Sequence, residues 1–309
     1  GAGASAETVV GIGVDATGTA ALGNNPGIFI GGVSFCRIGG TAPGEGNVIS
    51  GNRGAGIAVA GYEPGNLILG NLIGVTPDGT QPLGNAIGIG LHVNVHRHFV
   101  GGATPAERNV IGGNQIGVHV SVAGTEHNWI LGNAIGTDAT GTLRLGNHEA
   151  GVLLEDAAAR ILIQGNTIAY NGNQDAPRKA GIYIARSPEN TIRRNSIHTN
   201  VGPGIHLAEG GNNLLPAPVI LTVTETTISG TACPGCTVEI FSDDEDEGRV
   251  YEGSTVADAA GAFTFVKPAG LSGPHVTATV TDSDGNTSEF ATPGIVWRSI
   301  CLPVILKGW

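Results

Sequence analysis

Five ring-bearing side chains recur at one place in a repeated strand phrase, glycine-apolar-x-apolar. Read in order, x is Phe29, Ala58, His92, His119, Leu153, Tyr183 and His206. If those strands stack in register, the x residues form one outward-facing column. Phe29, His92, His119, Tyr183 and His206 would then make a binding face, because aromatic and imidazole rings on a flat sheet can stack on sugar rings. The plainer reading, which the sequence favours, is that these residues face solvent or pack beneath a neighbouring loop or subunit.

Other groups carry less chemistry. His92, His96 and His98 share one stretch, LHVNVHRH. Histidines four apart share a face only on a helix, and this segment reads as strand then loop without an accompanying carboxylate. They read as surface histidines, and no metal site is expected. Asp15 and Asp138 occupy equivalent turn positions, and the middle copy has Thr76 there with Asp78 two places later. The best catalytic constellation is Asp156, beside Glu155, with Arg160 or Arg186. A polysaccharide lyase or hydrolase needs converging carboxylates, or calcium with a basic residue, at one place that breaks the repeat. The repeat runs on almost undisturbed, so no residue is assigned a catalytic role. No cofactor is expected either. Calcium at Asp243-Asp-Glu-Asp-Glu247 is a minority reading beside a solvated hairpin tip, and Asp282-Ser-Asp-Gly-Asn286 reads as a β-turn without the flanking helices of a calcium loop.

The elements that must position these residues are repeats. Asn-x-Ile-x-Gly-Asn, or a relative of it, opens at Asn47, Asn66, Asn109, Asn128, Ile161 and Thr191. A larger unit lies above it: IGV, IGV and IGT begin at Ile12, Ile73 and Ile135, so 61 and then 62 residues apart. Each repeat offers short apolar strands with glycines where the backbone must turn, and no long amphipathic segment. A parallel β-helix of about seven coils follows, with apolar side chains stacked inside and asparagines laddered at the turns. The phrases NVISGN and LGN, with the IGTDATGT run, resemble right-handed parallel β-helix proteins secreted by environmental bacteria, up to about Asn213. That resemblance is specific for fold and implies little about activity.

Composition shifts at Leu215-Pro-Ala-Pro218. Beyond it, alternating strands and turn signals recur at sandwich spacing. TACPGCTVEIFSD and TDSDGNTSEF are similar to the immunoglobulin-like modules that follow repeats in bacterial surface proteins. Cys233-Pro-Gly-Cys236 reads as a small disulfide across a turn. The expected division is a β-helix over 1–215, a β-sandwich over 216–296 and an apolar tail over 297–309.

The net charge of −11 argues against nucleic acid or an anionic membrane as partner. No apolar run approaches the ~20 residues a membrane-spanning helix needs. The absence of methionine suggests a processed or trimmed chain, and an extracellular protein is expected. The first coil begins in mid-phrase, and the tail resembles the apolar ends of proteins secreted by filamentous bacteria. These ends suggest head-to-tail self-assembly, with Ile300, Leu302, Val304, Ile305 and Leu306 of one copy pairing near Val9 and Val10 of the next. Cys36 and Cys301 would then be placed to form an intersubunit disulfide. The alternative is that the tail packs on its own sandwich. The expected function is a secreted, non-catalytic structural or adhesive protein. Its rivals are a carbohydrate-active enzyme and a binder of extracellular polysaccharide.

Overall fold

The structure is a computed structural model and describes residues 10–295. Val9, the tail residues Ile300, Leu302, Val304, Ile305 and Leu306, and Cys301 lie outside the described residues.

Three parallel sheets wind into a solenoid. The first runs from Gly11–Ile12 to Ser196–His198 in seven strands, and the third from Arg37–Gly39 to Thr191–Arg193 in six. The second carries the longest strands: Ile28–Gly31, Ala55–Ala60, Ile87–His92, Ile116–Ser121, Ala150–Glu155, Ala180–Ala185 and Ile205–Ala208. Every neighbour within these sheets is parallel. The described residues thus hold six complete turns and two strands of a seventh, in keeping with the all-β reading and its count of about seven coils.

The sequence phrase is not one per turn. Asn47 and Asn66 precede strands of the first and third sheets in the same turn, and so do Asn109 and Asn128. First-sheet strands begin at Gly11, Val48, Leu72, Val110 and Ala134, so long and short turns alternate over the first four turns, before the more even spacing to Thr167 and Ser196. The 61–62 residue period is therefore two turns. One isoleucine per rung explains the phrase: Ile49, Ile73, Ile111, Ile135, Ile168 and Ile197 stack in the core of the first sheet. β-Branched side chains suit this pleated, fully covered surface, and each buried one contributes about 1.5–3 kcal/mol.

Asparagines close the corners. Between the first and second sheets run Asn24, Asn52, Asn85, Asn114, Asn147, Asn171 and Asn200. Oδ1 of each rung accepts the main-chain N–H of the rung before it, as from Asn52 to Asn85 at 2.9 Å and Asn114 to Asn147 at 3.1 Å. The ladder satisfies polar groups that the turn would otherwise bury unpaired. It also sets the glycine of IGV. Gly74 has φ of +81°, and a Cβ there would lie 2.2 Å from Asn114 Oδ1.

Parallel pairing ends at Ala208, and antiparallel pairing begins at Val219. A three-stranded sheet (Val219–Val223, Thr227–Thr231, Ala262–Val266) faces a four-stranded one (Val250–Val256, Thr237–Asp243, His275–Thr281, Gly294–Ile295) around Ile228, Val238, Ile240 and Phe263. Cys233 and Cys236 are joined by a disulfide in the turn before Thr237. The acidic run expected as a solvated hairpin tip is only partly that. Asp244, Glu245 and Asp246 are exposed, whereas Asp243 is buried and Glu247 turns inward onto the last turn of the helix.

Candidate functional site

The outer face of the second sheet is built by strand alternation. Val118 and Val120 point into the core, leaving His119 and Ser121 on the outside. The register along this face is Phe29, Ala58, Gly90, His119, Leu153, Tyr183 and His206. His92 is therefore not in the column expected for it. The segment IGIGLHV contains the strand phrase twice, two residues apart, and pairing selects Gly88-Ile-Gly-Leu91. His92 lies one outward position further on, opposite Ser121.

The column is not a continuous ladder of open rings. Leu153 is fully buried with Ile116, Ala150 and Tyr183. Tyr183 and His206 have ring centroids 5.1 Å apart, and Glu289 of the sandwich reaches His206 Nδ1 at 3.2 Å. At the centre, His92 and His119 meet edge-on at 4.8 Å. His92 Nδ1 bonds Ser121 Oγ at 2.7 Å, and His119 Nε2 lies 3.0 Å from Glu155 Oε1. Arg178 bridges Glu155 at 3.3 Å and Glu149 at 3.7 Å.

Serine, histidines and a carboxylate in one cluster invite a catalytic reading, and the electrostatics weigh against it. Burial lowers His92 to about 4, with help from neighbouring His119. Burial lowers His119 to about 4 as well, assisted by Arg178. Both rings are neutral at pH 7 and poorly matched to proton transfer there. Asp156 does not join this cluster. It is exposed and pairs with Arg186 at 2.6 Å, whereas Arg160 pairs with Glu126 and Glu189 at 2.6 and 2.8 Å. Of the two arginines offered as partners of Asp156, Arg186 is the one that meets it, in an exposed surface ion pair of small energetic weight, and Arg160 is engaged elsewhere.

Of the other histidines, His96 is part-buried with Nδ1 on Asn94 O, but His98 is not on the surface. It is fully buried at an asparagine position of the corner ladder between the second and third sheets, where Nδ1 accepts the Asn66 N–H at 3.2 Å. Cys36 occupies the first rung of the same ladder, part-buried, with its N–H on Asn66 Oδ1.

Open rings are found instead on the first two turns. Phe29 is 64% exposed, Phe35 80% and Tyr62 67%. Phe29 lies across Gly31, where a Cβ would sit 2.5 Å from the ring. Phe35 lies across Gly65, where the distance would be 2.6 Å. Glycine thus lets each ring lie against the backbone with its other face toward solvent. Ala58 and Gly90, the next two positions after Phe29 in the column, leave the sheet beside it low. Phe35 and Tyr62 escaped sequence reasoning because they lie in corner loops outside the strand phrase. For Phe35 the signal would have been Gly65, thirty residues on.

A second aromatic pair, also unforeseen, behaves differently. Phe99 and Trp129 are in register on the third sheet, with centroids 4.4 Å apart and planes 12° from parallel. Stacking along the helix axis turns each ring face toward the next rung, where Leu67 and Leu162 lie. This pair presents edges to solvent and serves as a cross-strand stabiliser.

Among the described residues no helix is long and apolar enough to cross a membrane. A search of curated proteins finds no match. A family model described as a right handed beta helix region matches residues 106–244, and one described as a bacterial Ig domain matches residues 216–293. The first runs past the last parallel strand at Ala208 into antiparallel sheet, so the two matches overlap over the start of the sandwich. The pairing of these modules points to a surface or extracellular protein. The fold is a parallel β-solenoid followed by antiparallel sheets consistent with an immunoglobulin-like module, similar over the matched residues to those two families.

Proposed function

We propose that this protein is a non-catalytic adhesive component of the cell exterior that holds polysaccharide on the open rings of its first turns. The observation that carries the reading is the pair of glycine-backed rings, Phe29 over Gly31 and Phe35 over Gly65. A sugar ring has an apolar C–H face that matches such a platform, and rigid aromatic side chains lose little entropy on binding. The long solenoid supplies the stiff support, and the sandwich closes its far end.

The test is a glycan-array and affinity-gel comparison of the native protein with Phe29→Ala, Phe35→Ala and Tyr62→Ala, singly and together. Retention of a polysaccharide by the native protein and its loss in the triple variant, at unchanged melting temperature, is the expected result. Equal retention by the triple variant would remove this face from consideration. Turnover of any retained glycan would replace adhesion with catalysis.

A further inference from the structure

The two-turn period allows one half of the helix to be compared with the other. Residues 39–48, GGTAPGEGNV, and 101–110, GGATPAERNV, are the same loop 62 residues apart. Both loops are closed by a glutamate that turns back on them. Glu45 Oε2 accepts the Thr41 and Ala42 N–H groups at 3.0 and 3.2 Å, and Glu107 Oε2 accepts the Thr104 N–H at 2.9 Å. The copies differ where Gly46 stands in the first and Arg108 in the second.

Arg108 fills the space above its short turn. Its Nε donates to Gly132 O at 3.1 Å and its Nη1 to Ala139 O at 2.6 Å. The residues 62 positions earlier are Gly70 and Pro77, and in the first copy both line a cleft of about 350 Å³ walled by Thr41, Pro43 and Ala106. Neither carbonyl accepts a hydrogen bond from another described residue. Gly46 cannot fill this space, because a Cβ there would lie 2.2 Å from Gly70 O. A group entering the cleft must come from elsewhere.

We propose that this cleft binds the guanidinium of an arginine side chain presented by a partner polypeptide. The internal copy supplies the bonding pattern, two main-chain carbonyls met by two different nitrogens of one planar group. An ammonium on a flexible stem matches that spacing less well. The net charge of −11 favours the approach of a cation.

The probe is N-acetyl-L-arginine amide, titrated by NMR and calorimetry into the full chain beside the lysine analogue. The native protein should show one saturable site in the millimolar range. The lysine analogue should bind about tenfold more weakly, as expected for losing one charge-assisted hydrogen bond. Arg108→Ala should open a second cleft and raise the stoichiometry to two. Ala106→Tyr, at an exposed wall position, should block the first cleft without altering the melting temperature. Absence of saturable binding, equal binding of the two probes, unchanged stoichiometry in Arg108→Ala, or undiminished binding in Ala106→Tyr would each overturn the assignment.

Discussion

Glu247 of the sandwich accepts the main-chain N–H of Asn200, the last asparagine of a ladder that runs the length of the helix. It stands where the Oδ1 of a further asparagine would be. Two other sandwich carboxylates act alike: Glu239 accepts Arg194 N–H at 2.9 Å, and Glu289 accepts Leu207 N–H at 2.8 Å. Thr287 and Asn286 take the N–H groups of Ile192 and Glu189 at 2.9 and 2.7 Å. Phe290 packs on the end of the helix core. A solenoid normally ends in an edge of unpaired donors, and here side-chain acceptors satisfy that edge from all round its rim.

This cap makes docking of the sandwich pH-dependent. Burial pushes Glu247 up to about 7, against hydrogen bonds from Asn200 that lower it. A carboxyl raised in the folded state contributes stability that is fully present below its ordinary value near 4.5 and is lost as pH rises through about 7. The shift corresponds to about 3 kcal/mol at most. Burial also raises Glu239, which acts in the same direction. The buried histidines oppose it: His92, His98, His119 and His198 are each lowered to about 4, so their contribution is lost as pH falls from 6.5 toward 4. Glu247→Gln keeps the acceptor and removes the charge. Thermal unfolding at pH 5 and pH 8 should show the variant gaining on the native protein only at the higher value. An equal difference at both would mean that Glu247 titrates normally.

His98 is a fault in its ladder. Nδ1 takes the Asn66 N–H, so the ring proton sits on Nε2, which is buried without a partner. Neighbouring rungs use their amide nitrogen instead, as Asn128 Nδ2 donates to Val95 O at 2.8 Å. An unsatisfied buried donor costs about 1–3 kcal/mol. His98→Asn should therefore stabilise the protein by about 1 kcal/mol after allowing for its smaller volume, and by more at pH 5, where the imidazole is protonated in the unfolded chain but still neutral in the fold. Urea unfolding at the two pH values checks both parts. A loss of stability would show that packing of the ring outweighs the missing bond.

The isoleucine and asparagine spacing made the solenoid legible, because one inward residue and one corner amide recur on every rung. The turn count was harder, since Asn-x-Ile-x-Gly-Asn serves both the first and third faces. His92 was misplaced for a physical reason: a slip of two residues keeps a side chain on the same face of a strand, so alternation cannot detect it. Only pairing of Gly90 with His119 decides the register. The ring of Phe29 could be read from its strand phrase, whereas Phe35 lies in a corner loop, and the glycines beneath both rings were not legible. In Glu239, Glu247 and Glu289 the sequence shows ordinary sandwich charges, and their partners lie some 45 to 82 residues away.

Leu153 occupies an outward strand position that alternation assigns to solvent, yet it is fully buried. Leu153→Ala should therefore cost about 3 kcal/mol, like a core leucine, in denaturant unfolding. A change below about 0.5 kcal/mol, the size usual at exposed positions, would show that this face is open to water and would restore the continuous column.

Trp129 and Phe99 separate a stabilising stack from a binding platform. Their faces are turned toward each other and along the axis, so sugar has only ring edges to touch. Truncating Trp129 to alanine removes the pair interaction, about 0.5–1.5 kcal/mol, together with the apolar area of a part-buried indole. Trp129→Ala should lower stability by about 2 kcal/mol and leave polysaccharide retention unchanged at a temperature where the variant is folded. The double variant with Phe99→Ala should lose less than the sum of the two single changes, because residues in contact share one interaction. Retention lost in Trp129→Ala but kept in the Phe29, Phe35 and Tyr62 triple variant would transfer the adhesive face from the second sheet and its corner to the third sheet.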